Sequence, residues 1–345
     1  MSEMRGRILC VDDEPNIARA LQWLLQKEFD VKTAHSGQAA LAMLAEHDFD
    51  VLISDQRMPL MTGVEFFREA RKVAPRSIRI LLTGYSDLQA VLRSVNEGEI
   101  YRFINKPWNI SELPKIVGQA VAISRSQPAE AVEPELTEES PIESTVGESV
   151  LLIDDDSASR LVVREALGDS VQFHHARNLA EAISILGEQK VSVIVSETRV
   201  GAIDATRLIS IMKEKHPEII SIILSAQADA DMVAALINEG QIYRFVPKPV
   251  RTGYLKLAIN SALVKHRRLV ETPGLAKRYS VDVLADAKLA SLLGDIERVA
   301  AQAEARSSQG GANASGTNSD SSLPETTPAR GLFGRVNAGL KRLFR

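Results

Sequence analysis

NEGEIYRFINKP at residues 96–107 and NEGQIYRFVPKP at residues 238–249 agree at nine of twelve positions, at an offset of 142 residues. The same offset, without a gap, maps Asp12 onto Asp154, Asp13 onto Asp155, Thr83 onto Ser225 and Lys106 onto Lys248. A period this long is no solenoid repeat. It is a duplicated domain of about 115–120 residues, a normal domain size. Within one copy, 7–11 (RILCV), 31–34, 51–54 (VLIS), 78–82 (IRILL) and 102–105 are short apolar runs that read as strands. Between them, Ile17, Leu21, Leu24 and Leu25 form one helical face, and Leu88, Val91, Leu92 and Val95 another. Strands alternating with helices imply a parallel sheet covered on both faces. Right-handed crossovers leave a doubly wound, flavodoxin-like (βα)5 sheet as the leading topology, so the expected class is α/β with two such domains.

The rest of the chain is parsed around these copies. The domains are read as 6–124 and 149–266, with a linker at 125–148. Residues 127–149 hold seven Glu, three Pro and no Lys or Arg, a composition that reads as extended and self-repelling. Residues 276–306 look helical. Leu289, Leu292, Ile296, Val299 and Ala303 are spaced for a short coiled-coil seam that would make a homodimer. Residues 307–329 are Ser-, Gly- and Thr-rich and are expected to be disordered, and 330–345 form a basic tail. The 345 residues carry 41 Lys plus Arg against 45 Asp plus Glu, a net charge of −4 that argues against a general grip on nucleic acid. The single cysteine, Cys10, rules out an intramolecular disulfide framework. No apolar run approaches the ~20 residues of a membrane span, and acids interrupt the N-terminus too early for a secretory signal. The expected location is therefore cytoplasmic.

In doubly wound sheets function gathers at the carboxyl ends of the strands. Asp12 and Asp13 follow the first strand, Asp55 ends the third, Thr83 the fourth and Lys106 the fifth. Three carboxylates in one pocket repel each other, and a hard divalent cation relieves that. Mg²⁺ suits a few carboxylates with waters and a phosphate oxygen. Lys106 would neutralise phosphate oxygens and Thr83 would donate a hydrogen bond to one. A carboxylate can accept a phosphoryl group as an acyl phosphate, and Asp55 is the central candidate. Taken singly, each piece has a bland reading: an Asp-Asp pair is usually a helix-capping turn, and Lys-Pro is usually nothing.

Taken together, VDDE at 11–14, ISDQRMPLMTG at 53–63, LLTG at 81–84 and INKPW at 104–108 resemble a response-regulator receiver domain of two-component signalling, present twice. The resemblance implies that Asp55 accepts a phosphoryl group from a sensor histidine kinase or phosphotransfer protein. It implies that Asp13 and Asp55 bind Mg²⁺ with the backbone carbonyl of Arg57, and Asp12 through water. Lys106 would contact the phosphoryl group, Thr83 would move toward it, Phe103 would be the switch aromatic, and Lys106-Pro107 would be cis. The NEGEIYRF segment has one residue more than the common pattern before the aromatic. Trp108 reads as a packing or partner-surface residue.

The second pocket keeps Asp154, Asp155, Ser225, Phe245 and Lys248, but Glu197 stands where the first copy has Asp55. The extra methylene moves the carboxylate out of in-line geometry, so this copy is expected to be a pseudo-receiver that is not phosphorylated there. Glu197 either reaches Lys248 and imitates a phosphorylated state, or marks a site kept only as scaffold. Asp204 lies in the loop beyond and is a poor substitute acceptor.

No helix-turn-helix pattern or second enzyme core is evident. The expected output is therefore protein interaction through roughly residues 87–124, the face that changes on phosphorylation in similar receivers. A phosphorylation-independent adaptor and a phosphate sink are the alternatives; catalysis is limited to self-phosphotransfer and autodephosphorylation. In the tail, Leu332, Phe333, Val336, Leu340, Leu343 and Phe344 share one helical face beside five basic residues. Such a helix could lie on an anionic membrane surface, at the inner face of the membrane, or dock in a partner's groove.

Overall fold

A computed structural model describes residues 5–84, 100–126, 140–142, 145–226, 230–240, 242–276, 290–298, 338–340 and 342–343. The first domain contains strands β1 (Arg7–Val11), β2 (Asp30–Ala34), β3 (Val51–Asp55), β4 (Ile78–Thr83) and β5 (Arg102–Asn105). Its described helices are α1 (Pro15–Leu25), α2 (Gly37–Glu46), α3 (Gly63–Val73) and α4 (Leu113–Ser126). The strands lie in the order β2-β1-β3-β4-β5, all parallel. Strands buried on both faces must be apolar throughout, and every residue of β3 and β4 is buried. Ile8, Cys10, Ile53, Ile80 and Leu82 face α1 and α4, while Leu9, Val11, Leu52 and Leu81 face α2 and α3. Helix starts follow local chemistry. Ser36 accepts from the Ala39 N–H, and Thr62 with Glu65 forms a reciprocal capping box.

The second domain repeats the plan. Its strands are β6 (Ser149–Ile153), β7 (Gln172–Ala176), β8 (Val193–Ser196), β11 (Ile220–Ser225) and β12 (Arg244–Pro247), in the order β7-β6-β8-β11-β12. Its helices are α5 (Ser157–Leu167), α6 (Leu179–Glu188), α7 (Thr206–Lys215), α8 (Ala230–Ala235) and α9 (Thr252–Glu271), followed by the short α10 (Pro273–Ala276). One loop distinguishes it: β9 (Arg199–Val200) and β10 (Ile203–Asp204) pair as a small antiparallel hairpin after β8. Leu236–Gly240 winds as a π-helical turn, which takes up one residue more than an α-helix would. The corresponding segment of the first domain, with the helical face from Leu88 to Val95, lies outside the described residues.

The segments between and after the domains are less independent than their composition implies. The acidic linker ends by folding onto the second domain. Asn260 donates to the Pro141 carbonyl at 2.9 Å, and the Glu148 carboxylate pairs with Arg267 at 3.0 Å. Residues 290–298 are helical, but Leu292 and Ile296 are buried against α6 and α7 rather than left for a coiled coil. Leu289, Val299 and Ala303 lie outside the described residues, as do 307–329.

The basic tail also meets its own chain. Leu340 and Leu343 are buried in the same cluster, and a Cβ on Gly187 would lie 2.4 Å from the Cα of Gly339. So two of the six apolar residues offered above to a membrane are covered here by the second domain. Leu332, Phe333, Val336 and Phe344 lie outside the described residues.

His216 helps hold this tail, its Nε2 lying 3.0 Å from the Leu343 carbonyl. The bond to Glu218, the Leu343 carbonyl and the Glu218 charge together hold its pKa above the usual value, against burial. A raised histidine pKa stabilises below the unfolded value and loses that stabilisation as pH rises through the folded one. Exchange of 338–343, corrected for intrinsic rates, is therefore expected to quicken as pH rises above the ordinary histidine value of 6.5. His216→Gln should remove that pH dependence; an unchanged profile would refute the link.

Candidate functional site

The adjacency of β1, β3, β4 and β5 brings their carboxyl ends to one edge of the sheet. Asp12 is fully buried and Asp55 is 7% exposed. The Lys106 ammonium stands between them, 2.8 Å from Asp12 Oδ2 and 2.5 Å from Asp55 Oδ1. The Asp55 Oδ2 accepts from the Arg57 N–H at 2.6 Å, and Asp12 Oδ1 accepts from the Glu14 N–H at 3.0 Å. Burial holds the Asp12 carboxyl above its ordinary pKa, outweighing Lys106 and the Glu14 N–H. For Lys106, burial alone would lower the pKa; the bonds and charges of Asp12 and Asp55 outweigh it and raise the value.

The helix-capping reading of the acidic pair fails on geometry. The N-cap of α1 is Glu14, which makes no side-chain cap, and the helix opens on Pro15. Asp13 is half-buried and makes no ion pair or hydrogen bond to described residues. Thr83 sits at the end of β4 with its hydroxyl donating to the Gly84 carbonyl at 3.1 Å. Phe103 is buried in the core, and Trp108 packs beside the apolar cluster under α1 and α4. Lys106-Pro107 and Lys248-Pro249 are both cis.

Among the described residues no three carboxylate, histidine or cysteine side chains converge as a metal site. The positive charge between Asp12 and Asp55 is that of Lys106. The donor chemistry nonetheless fits a hard cation: three carboxylates follow neighbouring strands, and Asp13 has no partner among the described residues.

The second pocket is satisfied from within. The Lys248 ammonium lies 2.8 Å from Asp154 Oδ2 and 2.8 Å from Glu197 Oε2. Glu197 Oε1 accepts from the N–H and the hydroxyl of Thr198, and that hydroxyl lies 3.2 Å from the Ser225 hydroxyl. Asp155, the counterpart of Asp13, accepts from the Gly201 N–H of the hairpin at 3.3 Å. Asp156 caps α5 through the Ala158 N–H, and Asp204 accepts from the N–H and hydroxyl of Thr206, the first residue of α7. Asp204 is thus engaged by Thr206. Phe245 is buried.

Three further residues, to which the sequence reading gave no role, enter the site. Gly63 opens α3 directly beneath the acceptor strand: a Cβ there would lie 2.3 Å from the Asp55 carbonyl oxygen. Leu60, in the loop after Asp55, has a left-handed backbone (φ 68°) and is fully exposed, a strained geometry beside the pocket. Thr198 links Glu197 to Ser225, where the first copy has Gln56; only the folded hairpin reveals that link.

The chain matches the response regulator receiver domain family twice, over residues 8–118 and 150–260. It belongs to that family and carries two receiver domains in tandem. It is similar to the hydrogenase transcriptional regulatory protein HoxA of Cupriavidus necator, 42% identical over 121 residues, or 35% of this chain and 25% of HoxA. It is also similar to the regulatory protein AtoC of Escherichia coli, 33% identical over 119 residues, 34% of this chain and 26% of AtoC. The chain thus spans about a quarter of the length of these relatives. Among solved structures, the signal receiver domain of an HD domain-containing protein from Pseudomonas fluorescens Pf-5 matches at 35% identity. That match covers 36% of this chain and 93% of the other, with a TM-score of 0.35. Among the described residues no helix is long and apolar enough to cross a membrane.

Proposed function

We propose that the first receiver is the input of a two-component phosphorelay, with Asp55 as phosphoacceptor. The observation that carries this reading is the Lys106 ammonium held against both Asp55 and Asp12 at the strand ends. An Asp55 carboxylate oxygen attacks the phosphorus of a phosphohistidine. The new O–P bond forms as the N–P bond breaks, and the imidazole leaves with the electron pair. Lys106 then faces the added phosphoryl oxygens, and the Arg57 N–H holds the other carboxylate oxygen in place. Asp13, Asp55 and the Arg57 carbonyl, with Asp12 through water, would hold Mg²⁺, which when bound offsets the charge of the transferred group. The output we propose is protein interaction. A downstream partner is unidentified, and no nucleic-acid contact is invoked.

The second receiver is proposed to be a companion without an acceptor. Its Glu197 is engaged by Lys248 and Thr198, and its Asp155 by the hairpin. The test is intact-mass analysis after incubation with a small-molecule phosphodonor and Mg²⁺. One phosphoryl adduct on the native chain, absent from Asp55→Asn, is the expected result. No adduct from either the donor or a phosphorylated kinase would defeat the reading, and an adduct surviving in Asp55→Asn would place the acceptor elsewhere.

A further inference from the structure

The edge of the first receiver that carries Phe103 is already covered. Asn238 sits within the π-helical turn, and its side-chain amide grips one residue of β5 from both sides. Its Oδ1 accepts from the Phe103 N–H at 2.8 Å, and its Nδ2 donates to the Phe103 carbonyl at 2.8 Å. The Arg102 guanidinium donates to the Asn238 carbonyl. β5 is the edge of its sheet, so these backbone groups would otherwise be an open strand edge. Around this clamp, Ile100 and Phe103 share one apolar cluster with Val233, Leu236, Ile237, Ile242 and Phe245. Ile100 and Ile242 are equivalent in the repeat, as are Phe103 and Phe245. Corresponding surfaces therefore meet, as in a two-fold dimer, but within one chain.

We propose that the second receiver is the built-in partner of the first receiver's output edge, and that phosphorylation of Asp55 loosens it. The proposal rests on Asp55 being the acceptor. The docked arrangement belongs to unmodified Asp55, with the Thr83 hydroxyl turned to the Gly84 carbonyl. A phosphoryl group offers that hydroxyl a charged acceptor, which makes a stronger bond than a neutral carbonyl. Thr83 pairs with Asn105 in the sheet and Leu81 with Phe103, so a shift of Thr83 is felt two residues away, where Asn238 holds on. Two direct hydrogen bonds to a single residue tolerate little displacement. On the other side nothing changes: Ser225 is tied through Thr198 to Glu197, so the second receiver presents a fixed face. Docking and phosphorylation thereby bias one shared equilibrium.

Hydrogen exchange on the full chain tests this, read at 102–105 and 236–245 with and without phosphodonor and Mg²⁺, beside the intact mass. Protection of both segments should fall about tenfold on phosphorylation, within the usual range of coupling between sites. Asn238→Ala should produce the same loss with no donor present. An adduct with unchanged or increased protection would overturn the inference and leave the acceptor reading standing. Native-like protection in Asn238→Ala would show that the clamp does not hold the domains. Absence of any adduct would instead strike the acceptor reading beneath it.

Discussion

Replacing Lys106 with alanine is expected to destabilise the first receiver by about 3 kcal/mol without divalent cations, and to slow phosphotransfer by about a hundredfold or more. Asp12 is fully buried and Asp55 nearly so, and Lys106 is their shared counter-charge at 2.8 and 2.5 Å. Removing one partner of a buried ion pair leaves the other uncompensated, which typically costs 3–5 kcal/mol. The lower end applies because the Lys106 side chain is 23% exposed and water can enter. Mg²⁺ should recover part of the stability, because a cation again offsets the carboxylates, but not the rate, because no ammonium faces the phosphoryl oxygens. Both tryptophans, Trp23 and Trp108, lie in the first receiver, so fluorescence melting isolates this domain. A loss of about 10 °C in chelator, reduced in Mg²⁺, is the expected reading. An unshifted melt would mean that the ion pair contributes nothing.

Gly63→Ala should be nearly as damaging, through packing rather than charge. The added methyl would lie 2.3 Å from the Asp55 carbonyl oxygen and 2.7 Å from Leu81 Cδ1. The first obstacle is backbone and cannot swing aside, so β3 or α3 must move. Overpacking of this kind costs about 1–3 kcal/mol. The acceptor is attached to the atoms that move, and a displacement near 1 Å at a reacting group costs about a hundredfold in rate. The second receiver has Ala205 at the equivalent position, where the β9–β10 hairpin replaces the Met58–Thr62 loop. There the Ala205 N–H still reaches the Thr198 carbonyl at 3.0 Å, as Gly63 reaches Gln56 at 3.1 Å. Alanine thus occurs beside a different loop and a glutamate in place of the acceptor aspartate. Phosphorylation of Gly63→Ala at the native rate would refute the packing argument.

The repeat offset and the apolar runs sufficed to place the sheets and most of the pocket. Parallel strands buried on both faces must be nearly all apolar, so RILCV, VLIS and IRILL announce themselves without tertiary information. Strand ends then locate Asp12, Asp55, Thr83 and Lys106, because chain connectivity alone delivers them to one edge. The glutamate at 197 was equally legible, since one extra methylene is a covalent fact.

What Glu197 touches was not legible. Its bond to Thr198, and from there to Ser225, depends on the hairpin that reshapes the loop after β8. The amphipathic tail gave an apolar face but no address, since a membrane, a partner and its own domain offer the same kind of burial. Gly339 against Gly187 lets the backbones approach, and Leu340 and Leu343 are buried beside them. The linker looked extended from its charges, yet Glu148 finds Arg267, 119 residues further along the chain.

The sequence by itself determined the number of domains, their topology and the chemistry at the strand ends, because periodicity and covalent spacing are local properties. Only the tertiary structure decided that Asn238 grips Phe103, that Lys106 stands between two buried carboxylates and that the second domain buries Leu340 and Leu343. Each of these joins residues far apart in the chain, where the deciding quantity is distance in space, and spacing along the sequence carries no information about it.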